Sequence, residues 1–377
     1  MKTERSVHLS KVRRVVIKIG SSLLTGGKTS GIRTRFLGHL AEQIKGLQKN
    51  GIQCLIVTSG AIAAGLFELG QFKRPKEMEK LQALAAIGQS NLMHAYEIVF
   101  KRFGLKVAQI LLTREDLANR PRYSNAHNTV MELFRNKIIP VVNENDTVAV
   151  EEIKFGNNDI LGTLVTHLCQ ADLLVVLTDT DGFFESDPHL NPKAKLISTI
   201  TVFDSGLEKT ASKSFSNIGT GGMKTKIQAA KMMMQSGIPM VIANGNTRNV
   251  LKNILRSKPV GTFFSPAPQK MSSRKSWLAW GVQAKGEIMV DDGAKKALVE
   301  MDKSLLPSGI MKLAGIWNRG DMVKIVDRSG VEIARGQSNY SSRDLDQIKG
   351  MRTSEIVEKI GKVSGAEAVH RDNLVKL

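Results

Sequence analysis

"RRVVIKIGSS", residues 13–22, is the stretch from which the fold of this chain is read. Val15, Val16, Ile17 and Ile19 form a short apolar run, closed at once by Gly20, Ser21 and Ser22. That is the pattern of a strand buried on both faces and ending at a surface turn. It recurs at "IQCLIVTS" (52–59), "LKVAQILLT" (105–113), "KIIPVVNE" (137–144), "DLLVVLTD" (172–179) and "IPMVIAN" (238–244). Helical periodicity fills the intervals, near 33–50, 61–70, 77–103, 123–136, 158–170 and 223–236. Strands alternating with helices predict a mostly parallel sheet with helices on both faces, a three-layer α/β/α domain. In such sheets ligands bind beyond the carboxyl ends of the strands. Glycine and small polar residues gather there: "KIGSS", "TSGAIAAG", "NENDT" and "TDTDG". No G-x-G-x-x-G follows the first strand, so a dinucleotide fold has no support.

The 377 residues leave room for two domains. With 42% apolar and 24% charged residues the composition is that of an ordinary globular protein. No run of 18 apolar residues is present, so no membrane span is expected. "MKTERSVHLSKVRR" lacks the apolar centre of a secretory signal, which predicts a cytoplasmic protein. Cys54 and Cys169 each sit in an apolar segment and are read as buried, reduced thiols. The formal charge is +19. Its distribution argues against a nucleic-acid partner for the tail: residues 285–377 carry 16 Lys and Arg against 14 Asp and Glu, and the other +17 lies ahead of them. A basic front region suits a polyanionic small substrate such as a nucleotide.

"SPAPQKMSSRKS" (265–276) breaks the periodicity with two prolines and four serines and is read as part of a linker, 265–284. This divides the chain into a domain at 1–264 and a smaller one at 285–377. In the second, "GEIMVDDGA", "DMVKIVD" and "GVEIARGQSNYSS" alternate like strands and predict a small β-rich domain.

"SNIGTGGMKTKIQAA" (216–230) carries three glycines and two lysines ahead of a helix. It is not a Walker A loop, in which lysine follows the last glycine directly. Here Met223 follows Gly222, and Lys224 and Lys226 come later, inside the helical pattern. Backbone amides at a helix N-terminus favour an anion, and Lys226, one turn in, is placed to reach back over it. Lys18, at the end of the first strand, precedes a glycine that allows close backbone approach to a phosphate. Two lysines converging from separate strand ends suit a phosphoryl group in transfer, whose equatorial oxygens carry the charge.

"VVIKIGSSLL", "TSGAIAAG", "NRPRYSNAHNT", "IPVVNENDTVAVEEIKFGNNDILG", "LTDTDGFFESDP" and "IGTGGMKTKIQAA" together resemble the successive signatures of the glutamate 5-kinases, within the amino acid kinase family. "KSLLPSGI", "RGDMVKIVDRSGVEIARGQSNYSS" and "HRDNLV" resemble the PUA domain joined to many bacterial members. The resemblance implies an amino-acid-kinase-like α/β/α domain followed by a PUA-like one. It implies an ATP-dependent transfer to L-glutamate, with Mg²⁺, feedback inhibition by proline and a homo-oligomer. Carried over residue by residue, it implies catalytic roles for Lys18, Lys226 and Asp159, the last organising the two lysines. Thr178, Asp179 and the loop Thr220, Gly221, Gly222, Met223, Lys224, Thr225 and Lys226 match nucleotide-binding positions. Ser59, Asp146 and Asn158 match substrate-binding positions, and no protein metal ligand is implied.

Lys224 is read as pointing to solvent, with a hold on the nucleotide as the alternative. "HRDNLVKL" copies the start of a protein-kinase catalytic loop, yet Leu377 stands where the asparagine belongs. It is read as a strand end with a charged turn. His127 is read as a surface or helix-packing residue, and "KMMM" (231–234) as core packing. Two other functions stay open at this point: an amino acid kinase with another acceptor, and an RNA-binding protein whose front domain is a scaffold.

Overall fold

The computed structural model describes residues 3–26, 31–71, 73–149, 158–188, 190–203, 222–351, 355–356 and 367–377. The chain divides into two compact units, Met1–Lys270 and Met271–Leu377. The first is built on strands β1 (Arg14–Ile19), β2 (Gln53–Val57), β3 (Val107–Leu112), β4 (Ile139–Glu144), β5 (Leu173–Thr178), β6 (Thr199–Ile200), β7 (Met240–Asn244) and β8 (Thr262–Phe264). They lie in the order β3-β4-β2-β1-β5-β7-β8-β6. Among these pairings only β7 with β8 is antiparallel.

The chain runs from β1 outward to β2 on one side and returns to pair β5 on the other. β1 is therefore the switch strand, and the crevice at its carboxyl end is where a sheet of this kind takes a ligand. Val15, Ile17 and Ile19 of β1 share one core cluster with Leu37, Leu40 and Ile44 of the helix Thr34–Lys49. Strand side chains alternate, so Lys18 points to the opposite face. There it meets the helix Asn158–Leu168, with Gly162 at the contact: a methyl group on Gly162 would lie 3.6 Å from Lys18 Cβ.

The second strand leads into a helix pair that depends on glycine. Gly60, at φ +96°, turns the chain into the helix Ala61–Glu68, which packs on the long helix Met78–Lys101. The backbones nearly touch: a Cβ on Gly65 would lie 2.0 Å from the Leu84 carbonyl oxygen, and one on Gly88 would lie 1.8 Å from that of Ala61.

The six strands and six helices read from periodicity are all present, several with shifted ends. The helix expected from 123 begins at Arg120, because Asn119 caps it by accepting the Arg122 amide at 3.1 Å. Short pieces escaped the pattern: the helix Glu4–Leu9, capped by Thr3, strands β6 and β8, and the helix Val250–Leu255. Each is too short for its period to repeat clearly. Thr220 and Gly221 of the glycine loop, and residues 150–157 with Glu151 and Glu152, lie outside the described residues.

In the second unit β9 (Gly286–Val290), β10 (Ile310–Gly315), β11 (Met322–Val326), β12 (Glu332–Ser338) and β13 (Val369–Lys376) form one sheet, ordered β10-β9-β11-β12-β13. Trp317 anchors its core and donates its indole N–H to the Tyr340 carbonyl at 3.2 Å. The "HRDNLVKL" reading needs correction. Residues 370–376 run inside β13 rather than forming a turn: Val369, Leu374 and Val375 are buried, while Arg371 and Asp372 stay exposed where the pairing with β12 shifts register between Gly336 and Ser338. Residues 273–281 are helical turns, with Leu278, Ala279 and Trp280 buried.

Both cysteines are buried and free, and Met232, Met233 and Met234 are core residues. His127 packs between helices, its Nδ1 2.7 Å from the Leu168 carbonyl oxygen. His167 is enclosed, with Nε2 3.2 Å from Ser236 Oγ. Burial, with Lys270 adding to it, pushes its pKa down to about 3. Below the usual imidazole pKa the unfolded chain takes up a proton that the folded chain refuses, so stability falls as pH drops from about 6.5 toward 3.

Three outcomes follow from this packing and burial. Gly88→Ala should lose at least about 2 kcal/mol in urea denaturation, since backbone rather than a flexible side chain blocks the methyl group. Gly38→Ala, in the helix Thr34–Lys49 with nothing within 4 Å, should instead gain about 0.5–1 kcal/mol. Between pH 7 and 5 the native protein should lose about 2 kcal/mol more stability than His167→Gln; parallel curves for the two would contradict the buried neutral imidazole.

Candidate active site

Three elements meet at the carboxyl end of β1. Lys18 arrives from β1, Asp159 from the first turn of the helix Asn158–Leu168, and Lys226 from the first turn of the helix Met223–Gln235. Lys18 Nζ lies 2.7 Å from Asp159 Oδ1, and Lys226 Nζ lies 3.4 Å from Asp159 Oδ2. Thr225 Oγ1 is 2.7 Å from the same Oδ2. Asp159 has no exposed surface, and Lys18 and Lys226 are 5% and 7% exposed. The three form one buried cluster with one negative and two positive charges.

Burial alone would raise the Asp159 pKa, but Lys18 and Lys226 together reverse that and hold it at about 2. The carboxylate is thus ionised throughout the neutral range. For Lys18, burial lowers the pKa and Lys226 lowers it further, while Asp159 opposes both. A lone ammonium group would not be kept charged so far from water. Asp159 makes a doubly positive site possible, and the cluster retains a net charge of +1 for an incoming anion.

The helix Met223–Gln235 starts at Gly222, the last residue of the glycine loop, and aims its first-turn amides toward the same end of the sheet. Lys224, in that turn, is exposed, and Met223 is buried. β5 pairs with β1 through Ile19 and Leu177, so Thr178 follows immediately at the crevice. Its hydroxyl donates to Asp179 at 3.0 Å, and Asp179 is exposed. The Gly20 amide donates to the Leu177 carbonyl at 3.0 Å, tying the two strand ends together.

A second cluster adjoins the first through the bond between Asn158 and Asp159. Asn158 Nδ2 lies 2.7 Å from the Thr58 carbonyl oxygen, 3.0 Å from Ser59 Oγ and 2.9 Å from Asn143 Oδ1. Ser59 and Asn158 are therefore joined directly. Asp146 lies in the turn after β4 and lines a cavity of about 370 Å³ with Gln89, Gln109 and Glu144; none of Lys18, Ser59, Asn158 or Lys226 lines it. Asn143 and Thr58 are structural partners that sequence reading did not single out. Each is a polar residue at the carboxyl end of an apolar strand run, "KIIPVVNE" and "IQCLIVTS", and that placement was the available signal.

Buried ammonium groups beside the amides of a helix N-terminus are suited to an anion such as a phosphoryl group. The amino acid kinase family profile matches residues 13–244, and the PUA domain profile matches 286–360. The chain belongs to the amino acid kinase family. It is 48% identical to the glutamate 5-kinase of Geobacter sulfurreducens, over 99% of this chain and 100% of that one. It is also 48% identical to the glutamate 5-kinase of Caldanaerobacter subterraneus, over 97% and 98%, and 47% identical to that of Bordetella pertussis, over 97% of each. Among solved structures, UMP kinase from Ureaplasma parvum matches with a TM-score of 0.47 at 18% identity, covering 68% of this chain and 99% of that one. No helix among the described residues is long and apolar enough to cross a membrane.

Asp159→Asn should leave two buried ammonium groups without their counter-charge. A loss of about 3–5 kcal/mol is expected on breaking such a cluster, read by chemical denaturation; an unchanged midpoint would contradict the pairing.

Proposed function

We propose that this protein transfers the γ-phosphoryl group of ATP to the side-chain carboxylate of L-glutamate, giving L-glutamyl 5-phosphate and ADP, the first step of proline biosynthesis. The observation that carries the reading is the pair of buried ammonium groups held on one carboxylate, in a chain that resembles glutamate 5-kinases from end to end. A glutamate side chain has a reference pKa of about 4.3 and is already an ionised nucleophile at neutral pH. No general base is required. The barrier is the repulsion between that carboxylate and the triphosphate.

In the reaction a carboxylate oxygen of glutamate bonds to the γ-phosphorus as the bond from that phosphorus to the β,γ-bridging oxygen breaks. ADP departs with the bonding electrons. Lys18 and Lys226 neutralise the oxygens of the group in transit, and the amides that open the helix Met223–Gln235 hold it in line. Asp159 keeps both ammonium groups aimed inward. Thr178, Asp179 and the loop 220–226 border the nucleotide, with Lys224 turned to water. Ser59 and Asn158 take the acceptor amino acid, and Asp146 is the counter-ion for its α-ammonium group.

Mg²⁺ would be held by the phosphates of the nucleotide and would supply screening of their charge. The nearby acids are already engaged, Asp159 by two lysines and Asp179 by the Thr178 hydroxyl, which fits a metal carried by ATP and water rather than by side chains. We take residues 1–264 as the catalytic domain and 285–377 as the PUA-like domain, joined by 265–284. A cytoplasmic homo-oligomer subject to feedback inhibition by proline completes the proposal.

A coupled ADP-release assay with glutamate, acetylglutamate, aspartate, carbamate and uridylate tests the acceptor. Turnover with glutamate is expected, and turnover only with another acceptor would end this reading. Lys226→Ala should lower kcat about 100- to 1000-fold, as removal of one transition-state donor does, with a modest change in the KM for glutamate. A variant at the native rate would contradict the role of Lys226.

A further inference from the structure

We propose that Gln89 is a positioning residue for the acceptor amino acid: acting through Asn143, it fixes which end of the Asn158 amide the acceptor meets. The inference rests on the reading that Asn158 and Ser59 hold that acceptor. Four side-chain amides run in a row from the crevice to the 370 Å³ cavity that Gln89 and Gln109 line. Asn158 Nδ2 donates to Asn143 Oδ1 at 2.9 Å, Asn143 Nδ2 donates to Gln89 Oε1 at 2.8 Å, and Gln89 Nε2 donates to Gln109 Oε1 at 3.1 Å. Every bond points the same way. Turning over Asn143 or Gln89 alone sets NH₂ against NH₂ on one side and C=O against C=O on the other.

The middle of the row is shielded from water. Asn143 is 2% exposed and Gln89 is 9% exposed, so a mismatched amide pays its full desolvation penalty. At the crevice end, Asn158 Nδ2 faces the Thr58 carbonyl, Ser59 Oγ and Asn143 Oδ1, which occupy both of its hydrogens. Asn158 Oδ1 has no hydrogen bond among the described residues and is left to accept one from a ligand. An acceptor amino acid carries such a donor, its α-ammonium group. Gln89 never reaches the crevice; it sits on the helix Met78–Lys101 and is fixed there by the close glycine crossing at Gly88. Its part is to hold Asn143, so that Asn143 presents its oxygen and not its NH₂ to Asn158.

Two substitutions separate positioning from mere support. Gln89→Met keeps the length of the side chain but offers Asn143 no oxygen. Gln89→Glu keeps the oxygen, and the exposed Gln109 amide can turn over to donate to the new carboxylate. The expected result for Gln89→Met is a rise of about tenfold in the KM for glutamate, the scale of one lost oriented hydrogen bond. Its kcat should stay within about threefold and its KM for ATP should not move. Gln89→Glu should return the glutamate KM to within about threefold of native. Equal damage from both variants, or an unmoved glutamate KM in folded Gln89→Met, overturns the proposal. Should Gln89→Met fail to fold, Gln109→Met is read instead; it leaves Gln89 Nε2 without its acceptor and should raise the same KM about twofold to fivefold, and no change there overturns the proposal. Native protein is assayed alongside. Absence of glutamate-dependent turnover in it removes the functional reading and this inference together, whereas native turnover with an unmoved KM in the variants removes this inference alone.

Discussion

A single carboxylate, that of Asp159, holds two ammonium groups away from water, and the site is built around that arrangement. Neither lysine could stay charged in so enclosed a place alone, because burial favours the neutral amine. One lysine paired with one aspartate would leave no net charge to offer a ligand. Two lysines on the two oxygens of one aspartate leave a fixed positive field at the carboxyl end of β1. The field is set before any substrate arrives, so little reorganisation is needed when an anion approaches an anion.

The fold supplies this cluster by bringing three distant segments to one sheet end. β1 is central, paired with β2 and β5, and its alternation puts Lys18 on the face covered by the helix that carries Asp159. That helix rests against the lysine stem at Gly162. The helix Met223–Gln235 adds Lys226 and its amide dipoles from a third direction. Rigid elements rather than loops carry all three charges, which suits a site in which small misplacements are costly.

Next to the charges lies a neutral apparatus of amides, and the division of labour is physical. Charges act at a distance and tolerate small errors of direction. Amides act only through orientation, and their direction here is enforced along a row from Asn158 to Gln109 whose two middle members, Asn143 and Gln89, are buried. The close crossing of the helices Ala61–Glu68 and Met78–Lys101, possible only with glycine at 65 and 88, sets where Gln89 stands in that row.

Much of this was legible in the chain itself. Apolar runs of strand length ended by glycine and serine announced a parallel sheet, and the phosphate-seeking residues stood where such a sheet binds ligands. Lys18 and Lys226 could be named from their local patterns, and Asp159 only through the family resemblance of the stretch that holds it. Local pattern determined what each segment becomes, since periodicity and turn residues act over a few positions. It did not determine who meets whom. That Thr225 shares an oxygen with Lys226, that Asn143 rather than Asp146 stands against Asn158, and that Gln89 and Gln109 continue the row were decided by tertiary packing. Hydrogen bonds between residues 15 to 100 positions apart depend on strand order and helix crossing, and no spacing along the chain encodes those distances.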